Sequence, residues 1–97
     1  MQTYAILRRS GWSSPEDLEA AAVRSKQVAD DEMPNDIRWI RSYVLDEAAG
    51  AVGTVCIYQA SSADAVRDHA TRVGMPADEV IPVADTVIVR EDPQPVA

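Results

Sequence analysis

The chain has one cysteine, one histidine and fewer cations than anions, and each shortage removes a class of function. Cys56 alone builds no internal disulfide framework and no Cys-rich zinc site of the finger type, and it suits a reducing compartment. His69 alone excludes a paired-His motif such as HExxH and any two-His metal site within one subunit. Lys and Arg number 9 against 16 Asp and Glu, a formal net charge of −7, which a nucleic-acid or anionic membrane surface would repel. No run approaches the roughly 20 apolar residues of a spanning helix. The start, MQTYAILRRSGW, places its arginines after a short apolar stretch instead of before it, unlike a secretory signal. The expectation is a cytoplasmic protein with neither nucleic acid nor membrane as partner. Gly-rich phosphate loops, GxSxG elbows and paired-carboxylate motifs are also missing, so common hydrolase and nucleotide-binding mechanisms have no signature here.

What remains is enough for a core. The chain's 97 residues, 46% of them apolar, fit a single domain over 1–97. QTYAILRR, 2–9, alternates as a short strand that Gly11 ends. Ser13-Ser14-Pro15-Glu16-Asp17 supplies a capping serine, a proline at the first helical position and acids where the helix dipole favours them. A helix is predicted from there to about Glu32, with Leu18, Ala21, Ala22, Ser25, Val28 and Ala29 as a narrow stripe of mostly small residues. IRWIRSYVL, 37–45, and VCIYQ, 55–59, read as two strands of a hairpin. Ser61-Ser62-Ala63-Asp64 repeats the cap chemistry, and a second helix is predicted over about 62–73, closed by Gly74. VIPVADTVIV, 80–89, reads as an edge strand with an irregular start at Pro82, followed by a loose tail from about 91.

Strand, helix, strand, strand, helix, strand is the α+β, ferredoxin-like βαββαβ order: a four-stranded antiparallel sheet with two helices on one face. The alternation assigns Ile40 and Val44 to the helix-covered face, and Trp39, Arg41, Tyr43, Cys56 and Tyr58 to the open one. That open face would carry more apolar surface than a small monomer leaves in water, so a homodimer or a bound ligand is expected there.

Few side chains are suited to chemistry. His69, beside the apolar stripe of the second helix, suits a metal ligand or a proton carrier, although a buried histidine holding a carbonyl is the commoner case. Cys56 suits a thiolate ligand, or, more commonly, a small buried apolar residue. Tyr43 and Tyr58 would offer hydroxyls to a ligand with Trp39 as an apolar wall, and Arg41 would hold an anionic substrate or pair with an acid across a dimer interface. The acids Asp30, Asp31 and Glu32 read as a solvated helix end.

Four pieces in order, Trp39-Ile40-Arg41-Ser42-Tyr43-Val44, Val55-Cys56-Ile57-Tyr58-Gln59-Ala60, Val66-Arg67-Asp68-His69-Ala70 and Gly74-Met75-Pro76-Ala77-Asp78, resemble the small nickel-binding protein family. The resemblance covers about residues 2–90. It implies a ferredoxin-like fold, a homodimer and nickel, or another divalent transition metal, with no known reaction. Two departures remove potential ligands: Leu7 stands where many members carry an acid, and Arg41 where many carry a histidine. The first expectation is therefore a small dimeric metal-binding protein with His69 and Cys56 as ligand candidates. The alternative is a small enzyme or organic-ligand-binding module of the dimeric α+β barrel type, using Trp39, Arg41, Tyr43 and Tyr58 on the open face. A module that only self-associates is the third.

Overall fold

In a computed structural model, which describes residues 1–94, the expected order of elements is present. The strands are β1 (Gln2–Trp12), β2 (Ile37–Asp46), β3 (Val52–Ala60) and β4 (Glu79–Pro82), and the helices are α1 (Pro15–Gln27) and α2 (Ala63–Val73). All pairings are antiparallel in the order β2-β3-β1-β4. This is the ferredoxin-like arrangement.

The helix boundaries follow their capping residues. Ser14 and Ser62 accept hydrogen bonds from the amides of Asp17 and Ala65, at 3.2 and 3.1 Å. One turn of π-helix, Val28–Glu32, carries α1 to the expected end and buries Val28 and Ala29. Gly74 ends α2 at φ 84°, a left-handed conformation that glycine adopts without strain.

The strands depart from expectation at three places. β1 does not end at Gly11 but continues to Trp12 through an irregularity between Arg8 and Trp12, with Ser10 at φ 47°. Opposite it, a Cβ on Gly53 would lie 2.5 Å from the Arg8 carbonyl oxygen, so glycine is required by close approach. In β2 the register shifts between Trp39 and Arg41, leaving Ile40 as the extra residue. A bulge of this kind changes which face the following side chains take. β4 stops at Pro82 instead of running to 89. Its partner β1 begins at Gln2, and after Val83 donates to the Thr3 carbonyl at 2.9 Å there is no further strand to pair with. The expected loose tail is tied back at Asp92, and its last residues, 95–97, lie outside the described part.

The core sits between the sheet and the helices, around Tyr4, Ile6, Tyr58, Val28 and Val66. The strand alternation was expected to put Trp39, Cys56 and Tyr58 on the open face, and this is corrected by the structure. Tyr4, Ile6 and Arg8 of β1 pair with Tyr58, Cys56 and Thr54 of β3, and all six are buried under the helices. Trp39, opposite Tyr58, packs against the same core. Arg41 and Tyr43 do lie on the open face, and Ile40 joins them there. Both faces of β2 and β3 carry apolar side chains, so alternation fixed which residues travel together but not which set the helices cover.

Candidate functional site

The chemistry-bearing side chains gather beneath α1, on the helix-covered face. Tyr58 is central. Its hydroxyl lies 3.1 Å from Ser25 Oγ on α1 and 3.5 Å from Nη2 of Arg8. Its ring meets the His69 imidazole edge-on, with centroids 5.4 Å apart, and lies 6.3 Å from the Trp39 ring. Burial pushes the Tyr58 phenol above its ordinary range, against the opposing pull of the Arg8 charge and the Ser25 hydrogen bond. The phenol therefore stays neutral and serves as a hydrogen-bonding group.

His69 is fully buried, with Nε2 3.0 Å from the carbonyl of Ser25. That contact assigns the proton to Nε2 in the neutral ring, and Nδ1 is buried without a hydrogen-bond partner among the described residues. Burial lowers the pKa of His69 most; the Ser25 carbonyl opposes this, while Arg8 and Arg72 lower it further and Asp68 raises it slightly. At neutral pH the imidazole is uncharged and bridges α2 to α1.

A second polar chain runs beside the first. Trp39 Nε1 donates to Ser42 Oγ at 2.8 Å, Ser42 Oγ donates to Cys56 Sγ at 3.0 Å, and Cys56 Sγ lies 3.3 Å from Thr54 Oγ1. The thiol is buried and used in this chain.

Between the two chains and α1 lies a cleft of about 90 Å³. It exists because of what α1 presents. Leu18, Ala21 and Ala22 line it and are only half-buried, whereas Ser25, one turn on, touches Tyr58. Arg24 of α1 donates to the Val73 and Arg72 carbonyls at 3.1 and 2.7 Å, fastening the C-terminal half of α1 to the end of α2. The floor of the cleft includes Arg8, and the indoles of Trp12 and Trp39 flank it.

The other residues expected in a site are elsewhere. Arg41 and Tyr43, on the open face, both engage Asp92: Arg41 Nη1 at 2.7 Å and the Tyr43 hydroxyl at 2.9 Å. The set Trp39, Arg41, Tyr43 and Tyr58 is thus split between two faces. Residues 83–92 cross the open face and with it bound a wide cleft of about 1000 Å³.

The sequence reading missed Arg8. As one of two arginines at a strand end it looked like surface charge, and the only signal was its place in the alternation Tyr4, Ile6, Arg8. Ser25 was placed on the packing stripe of the first helix, but neither it nor Ser42 carried a signal of its hydrogen-bonding role.

The chain matches the family described as nickel responsive protein SCO4226-like over residues 4–83. It belongs to that family. Among solved structures, it is similar to SCO4226 from Streptomyces coelicolor A3(2), with 21% sequence identity, a TM-score of 0.67, and coverage of 88% of this chain and 99% of that one. At that identity the likeness speaks for the fold, which agrees with the strand order above. No curated protein sequence matches.

The family description raises nickel, and the donor set of one subunit does not fit it. No three His, Cys, Asp or Glu side chains converge among the described residues. Nickel requires several nitrogen, oxygen or sulfur donors in a defined geometry. Here His69 has Nε2 committed to a carbonyl, and Cys56 is committed to Ser42 and Thr54.

Proposed function

We propose that this protein is a homodimeric binding protein of the nickel-responsive family, and that nickel is bound by donors contributed from more than one copy. The observation that carries the dimer is the apolar surface along the open face: Ile40, Tyr43 and Ile81, continued by Val87, Ile88 and Val89, which are 86, 78 and 80% exposed. A small soluble monomer rarely leaves so many large apolar groups contiguous in water, and a second copy laid on the same face would bury them on both sides. Among the described residues no three such donors converge within one subunit, which is why the second half of the reading draws on a second copy. His69 and Cys56 are the imidazole and thiol each copy brings, and both are buried, so on this reading the shared ion is held by carboxylates of the open face, which Asp85, Glu91 and Asp92 help to bound.

The test is a nickel titration of tag-free, chelator-treated protein, run with sedimentation and compared with Val89→Asp and His69→Ala. The reading expects a wild-type dimer, a monomeric Val89→Asp that has lost saturable nickel binding, and His69→Ala that keeps it. Nickel binding to a monomer would contradict the shared site. Loss in a folded, dimeric His69→Ala would move the metal to the imidazole.

A further inference from the structure

The family match ends at residue 83, and the chain from Val83 to Asp92 lies across the open face as an arm pinned at its two ends. At the near end the Val83 amide donates to the Thr3 carbonyl at 2.9 Å, and Gln2 Nε2 donates to the Val83 carbonyl at 2.9 Å. At the far end Asp92 accepts from Arg41 Nη1 at 2.7 Å and from the Tyr43 hydroxyl at 2.9 Å. Between these pins, residues 84–91 make one hydrogen bond among the described residues, from the Thr86 amide to the Asp85 side chain. The middle of the arm is Val87-Ile88-Val89, a β-branched run that stays largely exposed, while a space of about 1000 Å³ stands open between the arm and Ile40, Tyr43 and Ile57 of the sheet.

The arm is longer than its own face requires. Three strand spacings, about 14 Å, separate β4 from β2, whereas the nine residue steps from Val83 to Asp92 reach about 30 Å when extended. The slack holds the apolar run away from the sheet. A second sheet packed face to face would stand about 10 Å off, within the arm's reach. We propose that the arms are exchanged in the dimer, the arm of each copy lying on the open face of the other with its Asp92 on the partner's Arg41 and the partner's Tyr43. Identical copies can make the same latch within one chain or between two, so exchange gives up no contact. It adds what the closed arm lacks, burial of Val87, Ile88 and Val89 against a second sheet. Both latch partners are about half exposed, so the ion pair is too weak to hold the arm on its own face against that gain. The inference rests on the open-face dimer proposed above and goes beyond it by naming the segment that crosses between copies.

Charge reversal across the latch tests the exchange in tag-free, chelator-treated full chain. Arg41→Asp and Asp92→Arg each set like charges against one another in a homodimer, whether the arms are closed or exchanged, and both positions are exposed enough that the core is untouched. In a mixed dimer with exchanged arms both latches are restored, one of them reversed; with closed arms neither is. Lys26→Asp and Asp30→Lys, which face each other within α1 and its following turn, change the charges by the same amounts and serve as the control pair. Each pair of variants is mixed in equal amounts, native mass spectrometry counts heterodimer against homodimer, and sedimentation gives the state of the parent chain. The expected result is about fivefold more heterodimer than homodimer for the latch pair, from several half-exposed ion pairs acting together, and equal amounts of the two for the control pair, as random pairing gives. Random pairing, or no dimer at all, in the latch mixture of a dimeric parent overturns the exchange and leaves the open-face dimer standing. The same excess in both mixtures also overturns it, because overall charge would then drive the pairing. A monomeric parent chain overturns the dimer and the exchange with it.

Discussion

The two helices of this fold begin alike and end in different roles. Both are opened by a serine whose side chain takes the amide three residues on, and both lie on the same face of the sheet. Yet α2 buries Val66, His69, Ala70 and Val73, while α1 proper buries only Ser25. One helix seals its half of the sheet; the other leaves a cleft over buried polar groups. Counted from the capping serines, Ala21 of α1 stands where α2 has His69 and Ser25 where it has Val73, and those two exchanges show that a correct helix in a correct place can build either a core or a pocket.

The largest expected effect separates the two helices by energy. Val66→Ala removes methyl groups from a fully buried position and should cost about 2 to 3 kcal/mol, whereas Leu18→Ala, at the edge of the cleft, should cost less than about 1 kcal/mol. Urea denaturation of both variants checks this, and equal losses would mean that α1 packs as tightly as α2.

His69 ties the helices together and makes that tie dependent on pH. Its folded pKa lies below the ordinary 6.5, so as pH falls through 6.5 the unfolded chain takes up a proton that the folded chain resists. Stability should therefore fall from pH 7 toward pH 5.5, and continue falling until the folded-state pKa is reached. His69→Gln should be less stable at pH 7 and should lack this component of the slope. Chemical denaturation at closely spaced pH values measures it, and an unchanged slope in the variant would place the titration elsewhere.

The shared serine caps give a smaller and equal effect. Ser14→Ala and Ser62→Ala should each cost about 1 kcal/mol. A much larger loss at one of them would mean that capping, and not face composition, distinguishes the helices.

How much of this was legible in the sequence depended on what each residue signals locally. The caps, Gly74 and the apolar runs fixed the element order, and with it the ferredoxin-like sheet. The faces were not legible. Ile40 is one extra residue in β2, and nothing in IRWIRSYVL marks it, so Trp39 was assigned to the wrong side. Arg8 was invisible for a related reason: a charged residue at a strand end is ordinarily exposed, and its burial depends on the Pro76 carbonyl, 68 positions away in the chain. The end of β4 was also set from afar, by where β1 begins. Arg41 was expected to hold an anionic substrate or pair with an acid across a dimer interface, whereas the acid it meets is Asp92 of its own chain.

That pair gives the smallest expected effect. Both partners are about half exposed, so Asp92→Ala should change stability by less than about 0.5 kcal/mol. Thermal unfolding checks it, and a loss well above that would give residues 83–92 a structural role beyond lying across the open face.

The central claim is that α1 covers a cleft where α2 covers a core, and a matched pair of substitutions tests it most directly. Ala22→Leu and Ala70→Leu add the same atoms to the sheet-facing sides of the two helices, and their unfolding free energies are compared with the parent chain. The account predicts that Ala22→Leu is neutral or stabilising, because the cleft accepts the side chain, and that Ala70→Leu, at a site only 3% exposed, loses about 1 to 3 kcal/mol through overpacking. Equal destabilisation by the two would contradict it.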